Sequence, residues 1–139
     1  CGVSHGAPRR HFPTLALLLA AIAEACLGEL RKHVADAGGS IRDTARAYVS
    51  YAVEHPDAFN LITRHDLLAS SGRNLRATSL PLLEQWRARF AKDHPDAPEA
   101  AATATWAAVH GVASLASRGA LDLVGADSEE LLDQLLPQD

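Results

Sequence analysis

The sequence predicts an all-helical protein, and three observations lead to this prediction. Alanine and leucine dominate the composition, while aromatic residues make up only 5% of the 139 residues. Runs of β-branched residues, which are typical of strands, are absent. Apolar residues instead recur every three or four positions between helix-ending residues, as on one buried helical face. A chain of this length can bury a single hydrophobic core.

The first long helix is predicted to begin at Thr14, whose hydroxyl suits an N-cap, and to end at Gly38-Gly39. Its apolar positions are Leu15, Leu18, Leu19, Ile22, Ala23, Cys26, Leu27, Leu30 and Val34. Ser40, with Asp43 three residues later, is predicted to cap a second helix. That helix carries Ile41, Ala45, Tyr48, Val49 and Ala52 on one face.

His55-Pro56 is predicted to end the second helix and to start a short third helix through Phe59 and Ile62. A loop at 69–72 precedes a helix that runs to about Phe90. Pro81 is expected to kink that helix or to mark a new start capped by Ser79. After a linker at 93–98, the pattern predicts a long helix from Glu99 to Leu123 and a last helix capped by Asp127.

Charge is distributed unevenly along the chain. The net charge of −4 by itself argues against binding to nucleic acid. Residues 1–12, however, carry two arginines and no acid, whereas residues 99–139 carry seven acids and only Arg118. One end of the molecule can therefore face phosphate groups while the other cannot.

The basic N-terminal segment has the features of a recognition helix. Ser4 can cap about two helical turns from His5 to His11, after a Gly-Val turn. The segment resembles the end of the DNA-binding domain of TetR-family regulators, whose pattern reads roughly Val-Ser-x-Gly-x-Leu-Tyr-x-His-Phe. The matching residues are Val3, Ser4, Gly6, His11 and Phe12, whereas Pro8 and Arg9 replace the usual leucine and tyrosine.

A second motif lies in the predicted helix that follows the linker. Trp106 is followed four residues later by His110-Gly111, which resembles the WHG-type regulatory domain of TetR-family proteins. His55-Pro56 and the Gly-Ala-Leu-Asp-Leu segment at 119–123 are in places where such domains have similar features. Trp106 and His110 lie one turn apart, so they either pack at helix crossings or line a ligand cavity.

The resemblance implies a helix-turn-helix remnant at 1–13 and a ligand-binding and dimerisation domain at 14–139. About forty residues of the DNA-binding domain are then expected to precede Cys1. The residues expected at duplex DNA are Ser4, His5, Ala7, Arg9, Arg10 and His11. The resemblance implies a bacterial, cytoplasmic homodimer that represses transcription and releases its operator when a small molecule binds.

Aromatic residues suggest where that small molecule binds. The candidate pocket residues, which include five of the seven Tyr, Trp and Phe side chains, are Tyr48, Tyr51, Phe59, Trp86, Trp106 and His110. Each of these rings can equally belong to the packed core. His65 and Asp66 are possible polar anchors or surface residues.

Small and apolar residues near the end of the chain suit a two-fold helical interface. The candidate dimer residues are Ala113, Ala116, Ala120, Leu132 and Leu135. No cofactor is expected, and the histidines lack the spacing of a metal site. The Gly-x-Ser-x-Gly match at 2–6 lacks the preceding strand that a hydrolase needs, so we expect no enzyme. The alternative is a helical carrier or sensor of an apolar molecule without a DNA role.

Overall fold

The computed structural model describes residues 7–64 and 76–137, with side chains for residues 14–64 and 79–137. These residues form helices and no strands, which confirms the predicted all-helical fold. The helices are α1 Ala7–Asp36, α2 Ile41–Glu54, α3 Pro56–Ile62, α4 Arg76–Asp93, α5 Glu99–Ser117, α6 Ala120–Leu123 and α7 Ser128–Leu135. None of these described helices combines the length and the apolar content needed to cross a bilayer.

Two of the predicted N-caps are confirmed by hydrogen bonds. The Ser40 side chain accepts a bond of 3.0 Å from the backbone amide of Asp43. The Asp127 carboxylate accepts one of 3.3 Å from the amide of Glu130. Each bond satisfies an amide that has no partner within its own helix, so these residues fix the starts of α2 and α7.

The start of α1 differs from the prediction. The helix begins at Ala7 and continues through Pro13, so Thr14 does not begin it. Proline removes one backbone hydrogen bond, but its φ angle is helical, and it therefore does not oblige a helix to end. Residues 7–11 of the predicted recognition segment are thus continuous in backbone with the first long helix. The domain boundary between residues 13 and 14 stays a prediction.

The structure excludes one of the two alternatives predicted at Pro81, and one further helix boundary differs from the prediction. Pro81 lies inside α4, so Ser79 does not start a new helix. The helix predicted to reach Leu123 ends instead at Ser117, and a separate short helix, α6, follows. Gly119 lies between them with a φ of 69°, a left-handed conformation that glycine adopts readily and that ends helices.

Helix α2 lies at the centre of the bundle. It packs against α1, α3, α4, α5 and α7, and its contact with α5 is the most extensive. The core contains Leu30 and Val34 from α1, Phe59 from α3 and Val109 from α5, all almost fully buried. Side chains on α2 therefore meet most of the other helices, which makes this helix the place to look for a functional site.

Several residues of the sequence predictions lie outside the described residues. These are Ser4 and His5 at the N-terminal end, His65 and Asp66, and the loop at 69–72. Ala7, Arg9, Arg10 and His11 belong to the backbone of α1, but their side chains lie outside the described part of the chain.

Candidate functional site

Four of the candidate pocket residues form one cluster where α2, α3 and α5 meet. The His110 ring stacks on Trp106, with the ring centroids 5.5 Å apart and the planes inclined by 28°. The Phe59 ring lies 5.5 Å from His110 and 5.5 Å from Tyr48. We call Tyr48, Phe59, Trp106 and His110 the aromatic cluster. Its members come from three helices, so only the folded chain brings them together.

A hydrogen bond lies at the centre of the aromatic cluster. The Tyr48 hydroxyl oxygen is 2.8 Å from Nδ1 of His110. A tyrosine hydroxyl donates to this nitrogen or accepts from it, according to which ring nitrogen carries the proton. Tyr48 is buried, and burial raises the pKa of its hydroxyl well above the ordinary value because the anion would lose its hydration. The pair therefore stays a neutral tyrosine beside a histidine at physiological pH.

The aromatic cluster has the composition of a site for a flat ligand. Phe59 and Tyr48 are buried, whereas Trp106 and His110 are half-buried. Stacked and edge-to-face rings offer apolar surface, and the Tyr48–His110 pair offers a polar group that can fix the orientation of a ligand. The same arrangement also packs α5 against α2 and α3, so Trp106 and His110 do lie at a helix crossing, and their role in a ligand cavity stays a prediction.

Tyr51 lies outside the aromatic cluster, on the side of α2 that faces α1. Its hydroxyl donates to the Cys26 carbonyl oxygen at 3.2 Å and approaches the Glu29 carboxylate at 3.5 Å. Burial raises the pKa of this hydroxyl, and the neighbouring Cys26 and Glu29 side chains raise it further. The ring centroid of His55 is 4.9 Å from that of Tyr51. Tyr51 therefore joins α2 to α1.

Trp86 is also separate from the aromatic cluster. Its indole Nε1 donates to the carbonyl oxygen of Ala102 at 2.7 Å, and its side chain is 3% exposed. The bond satisfies the one polar atom of a buried indole and joins α4 to the first half of α5. Of the six candidate pocket residues, the structure thus brings four together and places Tyr51 and Trp86 at two other helix contacts.

The candidate dimer residues divide by burial. Ala113 and Leu132 lie in the core of the single chain, at 0% and 1% exposure. Both side chains already pack within the single chain, which leaves them little surface for a second copy, and their assignment to a dimer interface stays a prediction. Ala116, Ala120 and Leu135 are half-buried and stay candidates.

A buried arginine that the sequence analysis did not single out joins α2 to the end of the chain. Arg42 is 8% exposed, and its Nη1 donates to the Leu136 carbonyl oxygen at 3.1 Å. Its Nη2 forms an ion pair with Asp133 and lies 3.9 Å from a Glu129 oxygen. The sequence held a signal for this burial, because Arg42 precedes Ala45, Val49 and Ala52 at helical spacing on the apolar face of α2.

A comparison with protein families adds to this geometry. Residues 41–138, more than half of the chain, match the family model described as tetracyclin repressor-like, C-terminal domain. The matched range includes every member of the aromatic cluster and the buried Arg42. No match was found among curated proteins or among solved structures.

Proposed function

Because the chain belongs to the tetracyclin repressor-like C-terminal domain family, we propose that it is the regulatory part of a TetR-family transcriptional regulator. The regulator acts in the bacterial cytoplasm as a homodimer and represses transcription by binding operator DNA. A small molecule bound within the helices of 14–139 controls that binding. The family match over 41–138 is the observation that carries the proposal.

The aromatic cluster is the proposed ligand site. Its rings suit a flat, mainly apolar molecule, and the Tyr48–His110 pair suits one polar group on that molecule. Helix α3, which carries Phe59, packs on α1 as well as on α5. A ligand that separates Phe59 from His110 therefore moves α3 against α1, the helix that runs from Ala7. Coupling of this kind between two sites typically amounts to about 1–3 kcal/mol.

The proposed DNA contacts are Ser4, His5, Ala7, Arg9, Arg10 and His11. Two copies of this segment would occupy successive major grooves of a near-palindromic operator, about 34–36 Å apart. Arg9 and Arg10 are proposed to contact phosphate groups, which makes the affinity depend on salt concentration.

The experiment measures the affinity of the protein, expressed from its complete gene, for operator DNA at several salt concentrations. The probe is a duplex from upstream of that gene, and an unrelated duplex of equal length is the control. We expect nanomolar binding by the parent and, in the Arg9→Ala, Arg10→Ala double variant, weaker binding with a shallower salt slope. Equal, weak binding of both proteins to both duplexes would overturn the DNA role and favour the carrier of an apolar molecule.

A further inference from the structure

A cavity of about 280 Å³ lies where α2 begins, beside the end of α4 and the last described residues of the chain. The residues that line it are Ser40, Ile41, Arg42, Asp93, His94, Leu136 and Pro137. None of them belongs to the aromatic cluster, so this cavity is separate from the proposed ligand site of the regulator. Its volume is that of roughly nine water molecules in the liquid, which leaves room for a small organic molecule.

Arg42 is the residue of this wall whose donors are not all paired. It is 8% exposed, and its Nη1 and Nη2 atoms have partners in the Leu136 carbonyl oxygen and the Asp133 carboxylate. Its Nε atom is buried and has no acceptor within the part of the chain that the structure describes. A buried N–H group without an acceptor destabilises a fold, and native structures keep few of them. The Nε–H of Arg42 therefore points to an acceptor that does not come from the described residues.

The start of α2 supplies a second donor on the same residue. The first amides of a helix have no partners within it, and they carry the positive end of the helix dipole. The amide of Ile41 donates to Oδ2 of Asp93 at 2.8 Å, and that of Asp43 donates to Ser40. For the amide of Arg42, which lies between them, the described residues provide no acceptor.

We propose that this cavity binds the carboxylate group of a small organic acid, which accepts hydrogen bonds from the Nε–H and the backbone amide of Arg42. Two N–H donors match the two oxygens of a carboxylate, and the charge of the guanidinium strengthens such bonds. Leu136 and Pro137 offer apolar surface to the hydrocarbon part of the acid. The proposal goes beyond the proposed function and does not depend on DNA binding.

His94 and the exposure of two carboxylates are consistent with an anion in this cavity. The His94 ring, whose centroid is 4.8 Å from that of Phe90, carries an N–H donor in either neutral tautomer. Asp93 is exposed and the side chain of Asp133 is 56% exposed, so water and salt screen both negative charges.

The end of the chain at 136–137 controls access to the Arg42 Nε–H. This atom is covered, so the acid reaches it through a small shift of neighbouring residues. Leu136 holds Nη1 through its carbonyl oxygen, and Pro137 after it is exposed. A shift at these two residues would open the guanidinium to the cavity, and bound acid should therefore change the environment of the Leu136 amide as well.

The first test is an NMR titration of the ¹⁵N-labelled full chain with propionate. We expect the Nε–H and the backbone N–H resonances of Arg42 to shift saturably, with a dissociation constant in the millimolar range. Propionamide, which has the same shape without the charge, should bind about ten-fold more weakly. The backbone amide of Arg87, which does not line the cavity, should not shift.

Two variants test the sign of the charge that the cavity binds. Asp93→Asn keeps an oxygen for the Ile41 amide and removes a negative charge, so propionate should bind about three-fold more tightly. A site for a cation would not gain affinity for propionate in this variant. Arg42→Met removes the guanidinium, and an apolar side chain is often tolerated in place of a buried ion pair. It should abolish propionate binding, whereas the matched control Arg46→Met, in the next turn of α2, should not change it.

Three outcomes would overturn the proposal. The first is a titration in which neither Arg42 resonance shifts saturably, and the second is equal binding of propionate and propionamide. The third is tighter binding of inorganic phosphate than of propionate, which would assign the cavity to an inorganic anion. Because the titration and Asp93→Asn leave Arg42 in place, they decide the question even if Arg42→Met does not fold.

Discussion

The two halves of α2 are held in the bundle by different interactions. In the first half, Arg42 and Arg46 pair with carboxylates of α7, the last helix of the described chain. In the second half, Tyr48 contacts aromatic rings and His110, and Tyr51 donates to the backbone of α1. We call these the ionic half and the aromatic half of α2.

The difference between the halves concerns what is buried. The aromatic half buries apolar surface, and water cannot replace the contacts that this surface makes. The carboxylates that pair with the ionic half are about half exposed, so water can replace those contacts. The aromatic half should therefore contribute most of the stability, and the ionic half should mainly fix the position of α7.

Phe59→Ala should have the largest effect. The ring is 1% exposed and contacts both Tyr48 and His110, so its removal leaves a cavity in the aromatic cluster. We expect the free energy of unfolding in urea to fall by about 4 kcal/mol. Leu123→Ala, at a side chain that is 88% exposed, is the control and should change it by less than about 0.5 kcal/mol. Similar losses in both variants would contradict the difference between buried and exposed apolar residues.

Arg42→Ala should cause the second largest loss of stability, and it should affect α7 more than the other helices. It removes a charged donor from the Leu136 carbonyl and the ion pair with Asp133, and we expect a loss of about 2 kcal/mol. Hydrogen exchange should accelerate in α7 more than in α3. The matched control is Arg87→Ala, which removes an exposed pair with Glu84 and should change stability by less than about 0.5 kcal/mol. Uniform acceleration in all helices would mean that Arg42 does not act on α7 in particular.

Tyr48→Phe should lower the stability less at neutral pH than the two variants above, and its effect should depend on pH. It removes the bond to His110 and should lower stability by about 1 kcal/mol. Burial raises the pKa of Tyr48 above that of the unfolded chain, about 10. The stability from the neutral hydroxyl is therefore complete below pH 10 and is lost as the pH rises further, because the unfolded chain releases the proton first. Urea unfolding between pH 7 and 11 should show a shallower alkaline decline in the variant, and an equal decline would contradict this role of Tyr48.

Glu129→Gln should have the smallest effect. The carboxylate is half exposed and accepts from Arg46 Nε at 2.8 Å. We expect a loss of about 0.5 kcal/mol, which should disappear in 1 M salt because mobile ions screen exposed pairs. A loss that persists at high salt would show that Glu129 acts through the buried Arg42 instead.

Much of the fold could be predicted from the sequence because local signals determine it. The side chains of Ser40 and Asp127 each cap a helix by accepting a hydrogen bond from the backbone amide three residues later. His55-Pro56 separates two helices by backbone geometry alone. The helix start predicted at Thr14 and the helix end predicted at Leu123 were wrong. A residue that can cap a helix, or a pattern that suits one, does not by itself decide where the helix begins or ends.

The candidate site was harder to predict because it depends on which helices meet. Tyr48 and Tyr51 are one helical turn apart, yet the Tyr48 hydroxyl forms a hydrogen bond with α5 and the Tyr51 hydroxyl forms one with α1. Trp86 is as aromatic as Trp106 but pairs with a backbone carbonyl of α5 away from the aromatic cluster. Residue type indicates that a ring will be buried, whereas its partners follow from helix packing at long sequence separation.

The continuity of α1 has a mechanical consequence. Its 30 residues form a rod about 45 Å long. Leu30 and Val34 are buried near one end, while Leu15 and Leu18 near the other are about half exposed. A tilt of only about 5° around Val34 would carry Ala7 through about 3.5 Å, since about 40 Å of helix separates the two. Ala20 and Ala23 on the same helix are also fully buried and would move by about 1–2 Å in this tilt, so α1 roughly doubles a packing change in the core by the time it reaches Ala7.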